Sequence, residues 1–146
     1  MIIKQLSVFL ENKKGRLNAA AKVLADHGIN IRALSLADTS EFGVLRMIVD
    51  KPEEGKNLLR QSGVFVNVTN VLAVAIEDRP GGALSVLDLL EKGDINMEYM
   101  YACDARVGQM TDKAVMVVQV SDLARAEKIL QENGYSNVDP FDIYPA

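Results

Sequence analysis

The sequence predicts an α+β fold made of two similar units, each with the element order βαββαβ. The first observation is a repeat: "ENKKGRLNAAAKVLADHGIN" from Glu11 to Asn30 returns as "EDRPGGALSVLDLLEKGDIN" from Glu77 to Asn96. The second is that, within each copy, stretches with the period of a strand alternate with stretches with the period of a helix. The two observations together favour duplication of one small module.

The repeat defines two domains. Five positions of the quoted stretch are identical without a gap: Glu11/Glu77, Gly15/Gly81, Leu24/Leu90, Ile29/Ile95 and Asn30/Asn96. The correspondence resumes after five extra residues in the second copy, where Leu59 matches Leu130 and Gly63 matches Gly134. The extra residues fall near "DARVGQMTD", residues 104–112, which indicates a longer loop. We expect one domain over residues 1–70 and a second over 71–146.

Hydrophobic spacing predicts the first strand and helix. In "LSVFL", residues 6–10, alternate apolar side chains share one face of a strand. The apolar residues that follow recur at helical spacing: Leu17, Ala20, Ala21 and Leu24. Gly28 suits the C-terminus of this helix, and His27 in its last turn is expected to interact with carbonyl groups.

Two strands, a helix and a final strand complete the first copy. The strands are "NIRALSLAD" (30–38), "VLRMIVD" (44–50) and "VFVNVTNV" (64–71). The helix is "DKPEEGKNLLRQSG" (50–63), with Asp50 as its expected cap and Glu53 placed as in a capping box. The second copy repeats the order, with strands at 72–77, 95–103, 114–120 and near 141–144, and helices at 82–92 and 122–133.

The strand "NMEYMYAC" places Met97, Tyr99 and Tyr101 on one face and Met100 on the other. We interpret one face as core and the other as a sheet or subunit contact, in preference to an adaptable wall for a ligand side chain. Cys103 is expected to be a small buried hydrophobic residue of this strand.

A βαββαβ copy is a ferredoxin-like unit, a four-stranded sheet with both helices on one face. A copy of this length buries only about 60% of its unfolded surface and is marginally stable alone. The link "VTNVLAV", residues 68–74, is short and β-prone. We therefore expect the two copies to pack side by side, related by a pseudo-twofold axis.

Composition excludes several classes of protein. The longest apolar stretch, Val71–Ile76, is far shorter than the ~20 residues of a membrane helix, and the N-terminus does not resemble a signal peptide, so we expect a cytoplasmic protein without membrane association. A net charge of −4 without a basic stripe disfavours nucleic-acid binding. With a single Cys103 and a single His27, we expect no disulfide, no metal site and no cofactor.

The first strand-to-helix turn carries the most informative residues of each copy. It brings a polar side chain (Asn12, Asp78), a basic side chain and a glycine to a helix start. The unpaired N–H groups and positive dipole end of a helix suit a carboxylate, and Asn or Asp can accept from an ammonium group. The turn thus offers a partner to each pole of an amino acid, although Asn12 and Asp78 would also serve simply to close a turn.

The pattern E-[N/D]-[K/R]-x-G, followed fifteen residues after the glycine by Asn preceded by Ile, resembles the ACT domain. This module is a regulatory domain of many amino-acid biosynthetic enzymes, and the resemblance covers essentially the whole chain as two copies. It implies that a free amino acid or similar small effector binds at an interface between two such domains. By resemblance, the ligand-binding residues are Asn12, Lys13, Lys14, Gly15, Arg16, Leu17 and Asn30, together with Asp78, Arg79, Pro80, Gly81, Gly82, Ala83 and Asn96.

The chain departs from the family pattern in ways that bear on the site. Lys14 stands where the family has proline, Asp78 adds a negative charge in place of the commoner Asn, and Gly82 after Gly81 is expected to give more room. We expect the ligand between the copies, with the two turns contributing unequally. Asn30 and Asn96 begin the second strand of each copy, so they reach a ligand only if the other copy or another chain brings the parts together, and otherwise only close the helix–strand loop.

The function that the residues and the resemblance favour is a non-catalytic amino-acid sensor. It would regulate a partner such as a metabolic enzyme, or its own assembly, and edge strands lead us to expect a homodimer. The alternative is an acylphosphatase-like hydrolase with Arg16 and Asn30 cradling an anion, although the phosphate loop of that family is absent and no Ser–His or Cys–His pair is evident. A copper-chaperone relative would need Cys-x-x-Cys in the first turn, and an RNA-binding relative would need aromatic and basic residues on its central strands.

Overall fold

A computed structural model describes residues 1–38, 41–104, 113–135 and 138. Within these residues the element order is β1 (Ile2–Glu11), α1 (Arg16–Asp26), β2 (Ile31–Asp38), β3 (Phe42–Val49), α2 (Pro52–Gln61), β4 (Phe65–Glu77), α3 (Gly82–Lys92), β5 (Met97–Cys103), β6 (Lys113–Val120) and α4 (Leu123–Glu132). The predicted α+β class and the repeated element order are confirmed. The strand expected near residues 141–144 lies outside the described residues.

The chain forms two compact units. The first unit is Lys4–Thr69, and the second unit combines Met1–Ile3 with the chain from Asn70 onward. The division falls inside β4. The sequence predicted two strands here, over 64–71 and 72–77, but the structure has one continuous strand. No Gly, Pro or Asp interrupts Phe65–Ile76, so nothing in the backbone chemistry stops the strand at the copy boundary.

The first unit has the strand order β2–β3–β1–β4. The pairs β2/β3 and β1/β3 are antiparallel, with Glu11 opposite Phe42. The Phe65–Thr69 part of β4 lies along β1, where the hydroxyl oxygens of Ser7 and Thr69 are 3.0 Å apart. The end of β1 and the start of β3 therefore meet at one end of this sheet.

Both helices of the first unit cover one face of its sheet. The buried core beneath them consists of Leu6, Val8, Leu10, Ala20, Leu24, Ile29, Leu45, Met47, Val49, Leu59 and Val66. Leu6 and Val8 are fully buried, whereas Phe9 between Val8 and Leu10 is 41% exposed. The alternation of a strand thus points Phe9 to the face that the helices do not cover.

The second unit has the strand order β4–β6–β5 with α3 and α4 packed on it. The carbonyl oxygen of Met1 accepts a 2.8 Å hydrogen bond from the N–H of Ala73, and the Met1 side chain belongs to the buried core. That core is Met1, Leu72, Val74, Ile76, Val86, Leu90, Ile95, Val118, Val120, Ala126 and Leu130. Met1 therefore contributes to the core of the second unit.

A bulge in β5 changes the predicted facing of its side chains. The pairing of β5 with β6 shifts register between Met97 and Tyr99. Met97 and Met100 both pack against the core of the second unit, while the rings of Tyr99 and Tyr101 stack 6.4 Å apart. The prediction that Met97 shares a face with the two tyrosines was wrong, because the extra residue of a bulge inverts the alternation. Strand β2 has the corresponding shift between Ile31 and Ala33.

The sequence predicted the C-terminus of α1 correctly and the N-terminal cap of α2 incorrectly. At the C-terminus of α1, Gly28 has φ 68° and the His27 ring nitrogen Nδ1 lies 2.8 Å from the Val23 carbonyl oxygen, as expected. The predicted Asp50 cap was wrong: Lys51 is the N-cap of α2 and provides no side-chain hydrogen bond. The Asp50 carboxylate instead accepts from the backbone N–H of Asn30 at 3.0 Å.

Candidate functional site

The two repeated turns share one backbone conformation. Gly15 precedes α1 with φ 88° and Gly81 precedes α3 with φ 86°, a left-handed conformation that a side chain disfavours. Neither helix start has a side-chain cap. The first helical hydrogen bond of α1 runs from Ala19 N–H to the Gly15 carbonyl, so the earlier N–H groups of Leu17 and Asn18 point out of the helix start. Such groups favour an anion.

The repeated glutamate of each turn pairs with the basic side chains near it. In the first turn, the Glu11 carboxylate lies 3.1 Å from Lys13 Nζ and 3.6 Å from Arg16 Nη2. In the second turn, Glu77 pairs with Arg79 and lies 3.8 Å from Lys113 Nζ. The Lys13, Arg16 and Arg79 pairs are exposed and contribute little to stability, so a bound ligand competes with them at small cost.

The pairing holds the pKa of Glu11 below its usual range, first through the hydrogen bond from Lys13 and then through the positive charges of Lys13 and Arg16. Because the folded-state pKa is lowered, the contribution of this pairing to stability is present above the usual carboxyl pKa and is lost as the pH falls through the lowered value. Glu11 therefore carries a negative charge throughout the neutral pH range.

Replacing Lys13 with alanine is expected to raise the pKa of Glu11 toward its usual value, since the largest cause of the shift is removed. An NMR titration of the Glu11 carboxyl carbon measures this. The matched control is Lys22→Ala, which removes an exposed lysine of α1 that pairs with Asp26 instead. An unchanged Glu11 titration in the Lys13 variant, or an equal change in both variants, would contradict the described pairing.

A cavity of about 250 Å³ lies at the first turn. It brings together four of the residues predicted for the site: Asn12, Lys13, Arg16 and Leu17. Glu11 also lines it, and Leu10, Leu36 and Gly43 form its apolar wall. The turn therefore presents one acidic, two basic and one amide side chain beside an apolar surface, and such groups can hold both poles of a zwitterion.

The sequence did not indicate Leu36 or Gly43 as site residues. Both come from other strands and reach the turn because Leu10 lies opposite Gly43, and Gly43 lies opposite Asp38 near the end of β2. A Cβ atom on Gly43 would lie 3.2 Å from the Leu36 side chain, so the small residue keeps this wall open. Leu36 is half-exposed on an edge strand. This exposure indicates a site residue only when the pairing of β2 with β3 is known.

The second turn differs from the first at its second glycine. Asp78, Arg79, Pro80 and Gly81 are exposed, whereas Gly82 is buried and Ala83 packs against the core of the second unit. A Cβ atom on Gly82 would overlap the backbone carbonyl oxygen of Glu77. The expectation that Gly82 gives more room was therefore wrong, because the backbone of Glu77 occupies the space beside it.

Asn30 and Asn96 close the helix–strand loops of their copies through their backbones. The Asn30 N–H donates to Asp50 Oδ1 and the Asn30 carbonyl accepts from the Asp50 N–H at 3.1 Å. In the second copy, the Asn96 N–H donates to Ser121 Oγ and the Asn96 carbonyl accepts from the Ser121 N–H, both at 3.0 Å. The repeated Ile-Asn thus has a structural role, while both asparagine side chains remain exposed.

Asn30 does not join the first turn within its own unit. The turn precedes α1 and Asn30 follows it, and a helix of eleven residues is about 16 Å long. The same separation holds for Arg16 and Asn30, so the pair that an acylphosphatase-like site requires is not formed in the first unit. Asn96 likewise lies after α3, where it lines a separate cavity of about 340 Å³ with Glu91 and Asp94.

Two further findings concern metal ions and membranes. Within the described parts of the chain, no three His, Cys, Asp or Glu side chains are grouped as ligands for a metal ion. None of the helices found there combines the length and the apolar character needed to cross a bilayer.

Comparison with known proteins gives a family and a fold. The family model described as an ACT domain pair matches residues 1–144. The chain is similar to protein BT0572 from Bacteroides thetaiotaomicron, with 34% identity over 100% of this chain and 98% of that one and a TM-score of 0.89. No functionally curated protein matches the sequence.

More distant structural neighbours share the fold. The regulatory subunit of aspartate kinase from Thermus thermophilus, in a ligand-free form, has a TM-score of 0.62 and 10% identity over 92% of this chain and 97% of that one. The corresponding subunit from Thermus flavus has a TM-score of 0.61 and 14% identity over 90% and 92% of the two chains.

Proposed function

Since the chain belongs to the ACT domain pair family, we propose that it is a non-catalytic regulatory protein that binds a free amino acid at the Asn12–Leu17 turn of the first unit. The observation that carries this proposal is the cavity of about 250 Å³ in which Asn12, Lys13, Arg16 and Leu17 meet Glu11. Four of the residues that the family resemblance predicts for the ligand site thus line one concave surface, which is what a ligand-binding role requires.

The chemistry of the turn suits both poles of an amino acid. The carboxylate of the ligand is placed at the helix start, where the N–H groups of Leu17 and Asn18 and the Arg16 guanidinium donate to it. The ammonium group is placed at Glu11, whose negative charge and exposed position favour it, with the Asn12 side-chain oxygen as a second acceptor. Leu10 and Leu36 form an apolar wall beside these groups.

Binding regulates only if the ligand distinguishes two states of the protein or of an assembly. The shift between the two states cannot exceed the difference in ligand binding free energy between them, and the effect is reciprocal. We propose that the second state involves a partner such as a metabolic enzyme, or a homodimer of this chain. The expectation that the ligand lies at an interface between ACT domains, where Asn30, Asp78 or Asn96 would contribute, stays a prediction.

Isothermal titration with the twenty common amino acids tests the proposal. We expect at least one of them to bind, and Arg16→Ala to weaken that binding about tenfold or more, because a hydrogen bond to a charged group contributes about 1.5–3 kcal/mol. Lys22→Ala is the control, since it removes an equally charged and exposed side chain of the same helix outside the turn.

Two results would contradict the proposal. The first is that no amino acid binds a protein shown by circular dichroism to be folded. The second is that binding occurs but Arg16→Ala and Asn12→Ala leave the affinity as unchanged as Lys22→Ala does, which would place the ligand elsewhere.

A further inference from the structure

A second, larger cavity lies beside the first turn. It has a volume of about 540 Å³, and three phenylalanines line it together with Glu11 and Arg16. We call the surface formed by Phe9, Phe42 and Phe65 the aromatic cleft. All three belong to the first unit, and they are 41%, 51% and 65% exposed. Three large rings left in contact with water at one place mark a surface that binds something.

The strand pairing does not require phenylalanine at positions 9 and 42. In the first unit, Phe9 lies opposite Val44 and Glu11 lies opposite Phe42. At the same register in the second unit, Ala75 lies opposite Val115 and Glu77 lies opposite Lys113. The equivalents of Phe9 and Phe42 in the duplicated frame are thus alanine and lysine. Phe9 and Phe42 are therefore a property of the surface of the first copy and not of the strand pairing.

The aromatic cleft is continuous with the cavity at the turn. Leu10, Glu11 and Arg16 line both, so the charged groups stand between the apolar wall of the turn and the phenylalanine rings. Phe9 and Phe65 already meet edge to face, with ring centroids 5.5 Å apart and planes at 65°. Phe42 lines the same cavity of about 540 Å³, and a further ring would lie there.

We propose that the amino acid bound by the first unit has an aromatic side chain, whose ring lies in the aromatic cleft while its ammonium group and carboxylate meet Glu11 and Arg16. This inference rests on the proposed function and adds the class of ligand. A ring gains edge-to-face contacts with phenylalanines that a small side chain does not reach, and a charged side chain there would lose hydration without a new partner. The opposite charges at one end of the cleft select a free zwitterion over a purely apolar compound.

Titration calorimetry with phenylalanine, tyrosine and tryptophan, compared with alanine, leucine and aspartate, tests the inference. We expect an aromatic amino acid to bind at least about tenfold more tightly than alanine, since a buried aromatic ring adds area as well as ring contacts. Phe65→Ala and Phe42→Lys, the second of which copies the residue of the other unit, are each expected to weaken phenylalanine binding about threefold to tenfold. Binding of alanine should change little.

The matched control is Leu84→Ala, which removes an exposed apolar side chain of similar exposure, 57%, from the second unit. Each variant is checked by circular dichroism and by sedimentation velocity. If alanine, leucine or aspartate binds most tightly and the phenylalanine variants match Leu84→Ala, the inference is overturned while the proposed function stands. If the phenylalanine variants alter only the association of the chain, the aromatic cleft is a contact between copies and the inference is again overturned. If no amino acid binds any form, the proposed function fails as well.

Discussion

Replacing Gly82 with alanine is expected to destabilise the second unit by about 3 kcal/mol, because the added methyl group must displace backbone. The Cβ atom would overlap the carbonyl oxygen of Glu77. Glu77 is the last residue of β4 and lies opposite Lys113 in β6, so its backbone is held by the sheet and does not move freely. Urea unfolding followed by far-ultraviolet circular dichroism measures the loss.

Gly81→Ala is the matched control for this change. Gly81 also has a positive φ, 86°, but no heavy atom lies within 4 Å of its would-be Cβ position. Only the left-handed conformation is then penalised, at about 1–2 kcal/mol. Equal unfolding midpoints for the Gly81 and Gly82 variants would show that the close approach of Glu77 does not exist in solution.

Replacing Leu90 with alanine is expected to cost about 2–5 kcal/mol of stability, the range for a buried leucine whose cavity is only partly refilled. Leu90 is 1% exposed in the core of the second unit, and its carbonyl accepts a 2.9 Å hydrogen bond from the N–H of Ile95. The residue is one of the five identical positions of the repeat, and Leu24 occupies the same place in the first unit. Thermal unfolding should show a clearly lowered midpoint.

Leu84→Ala on the same helix is the control, because Leu84 is 57% exposed and its removal should change the free energy of unfolding by no more than about 0.5 kcal/mol. A variant at Leu84 that loses as much stability as the one at Leu90 would mean that α3 presents a different face to the sheet. Since the repeat places Leu24 and Leu90 alike, such a result would also question the packing of α1.

The repeat and the hydrophobic periods were sufficient to predict the element order, because each strand and helix of the first copy from β1 to α2 has a counterpart among the described residues of the second. What they did not reveal depends on pairing between distant strands. The bulge between Met97 and Tyr99 changes which side chains of β5 face the core. The bulge is recognised only from the register of β5 with β6. The joining of two predicted strands in β4 was likewise hidden, since the sequence was divided at the copy boundary although no residue breaks the strand.

The sequence predicted only the part of the candidate site whose residues are close together in the chain. Asn12, Lys13, Arg16 and Leu17 are contiguous or nearly so, and a turn motif is enough to place them together. Leu36, Gly43 and Phe42 reach the same end of the sheet through strand register, which a single sequence does not specify. Asn30 is one of the identical positions of the repeat and was predicted as a site residue. Its backbone instead closes a loop with Asp50, at the end of α1 that is far from the turn. A repeated residue marks what both copies need, and that need is often structural.

The central claim is that a free amino acid binds at the first turn. Backbone amide chemical shifts, followed by NMR while the tightest-binding amino acid is added, test it most directly. We predict saturable shifts of the Gly15, Arg16 and Leu17 amides, with Phe42 and Phe65 responding when the ligand is aromatic. Saturable binding that leaves all three amides of the first turn unmoved would contradict the claim.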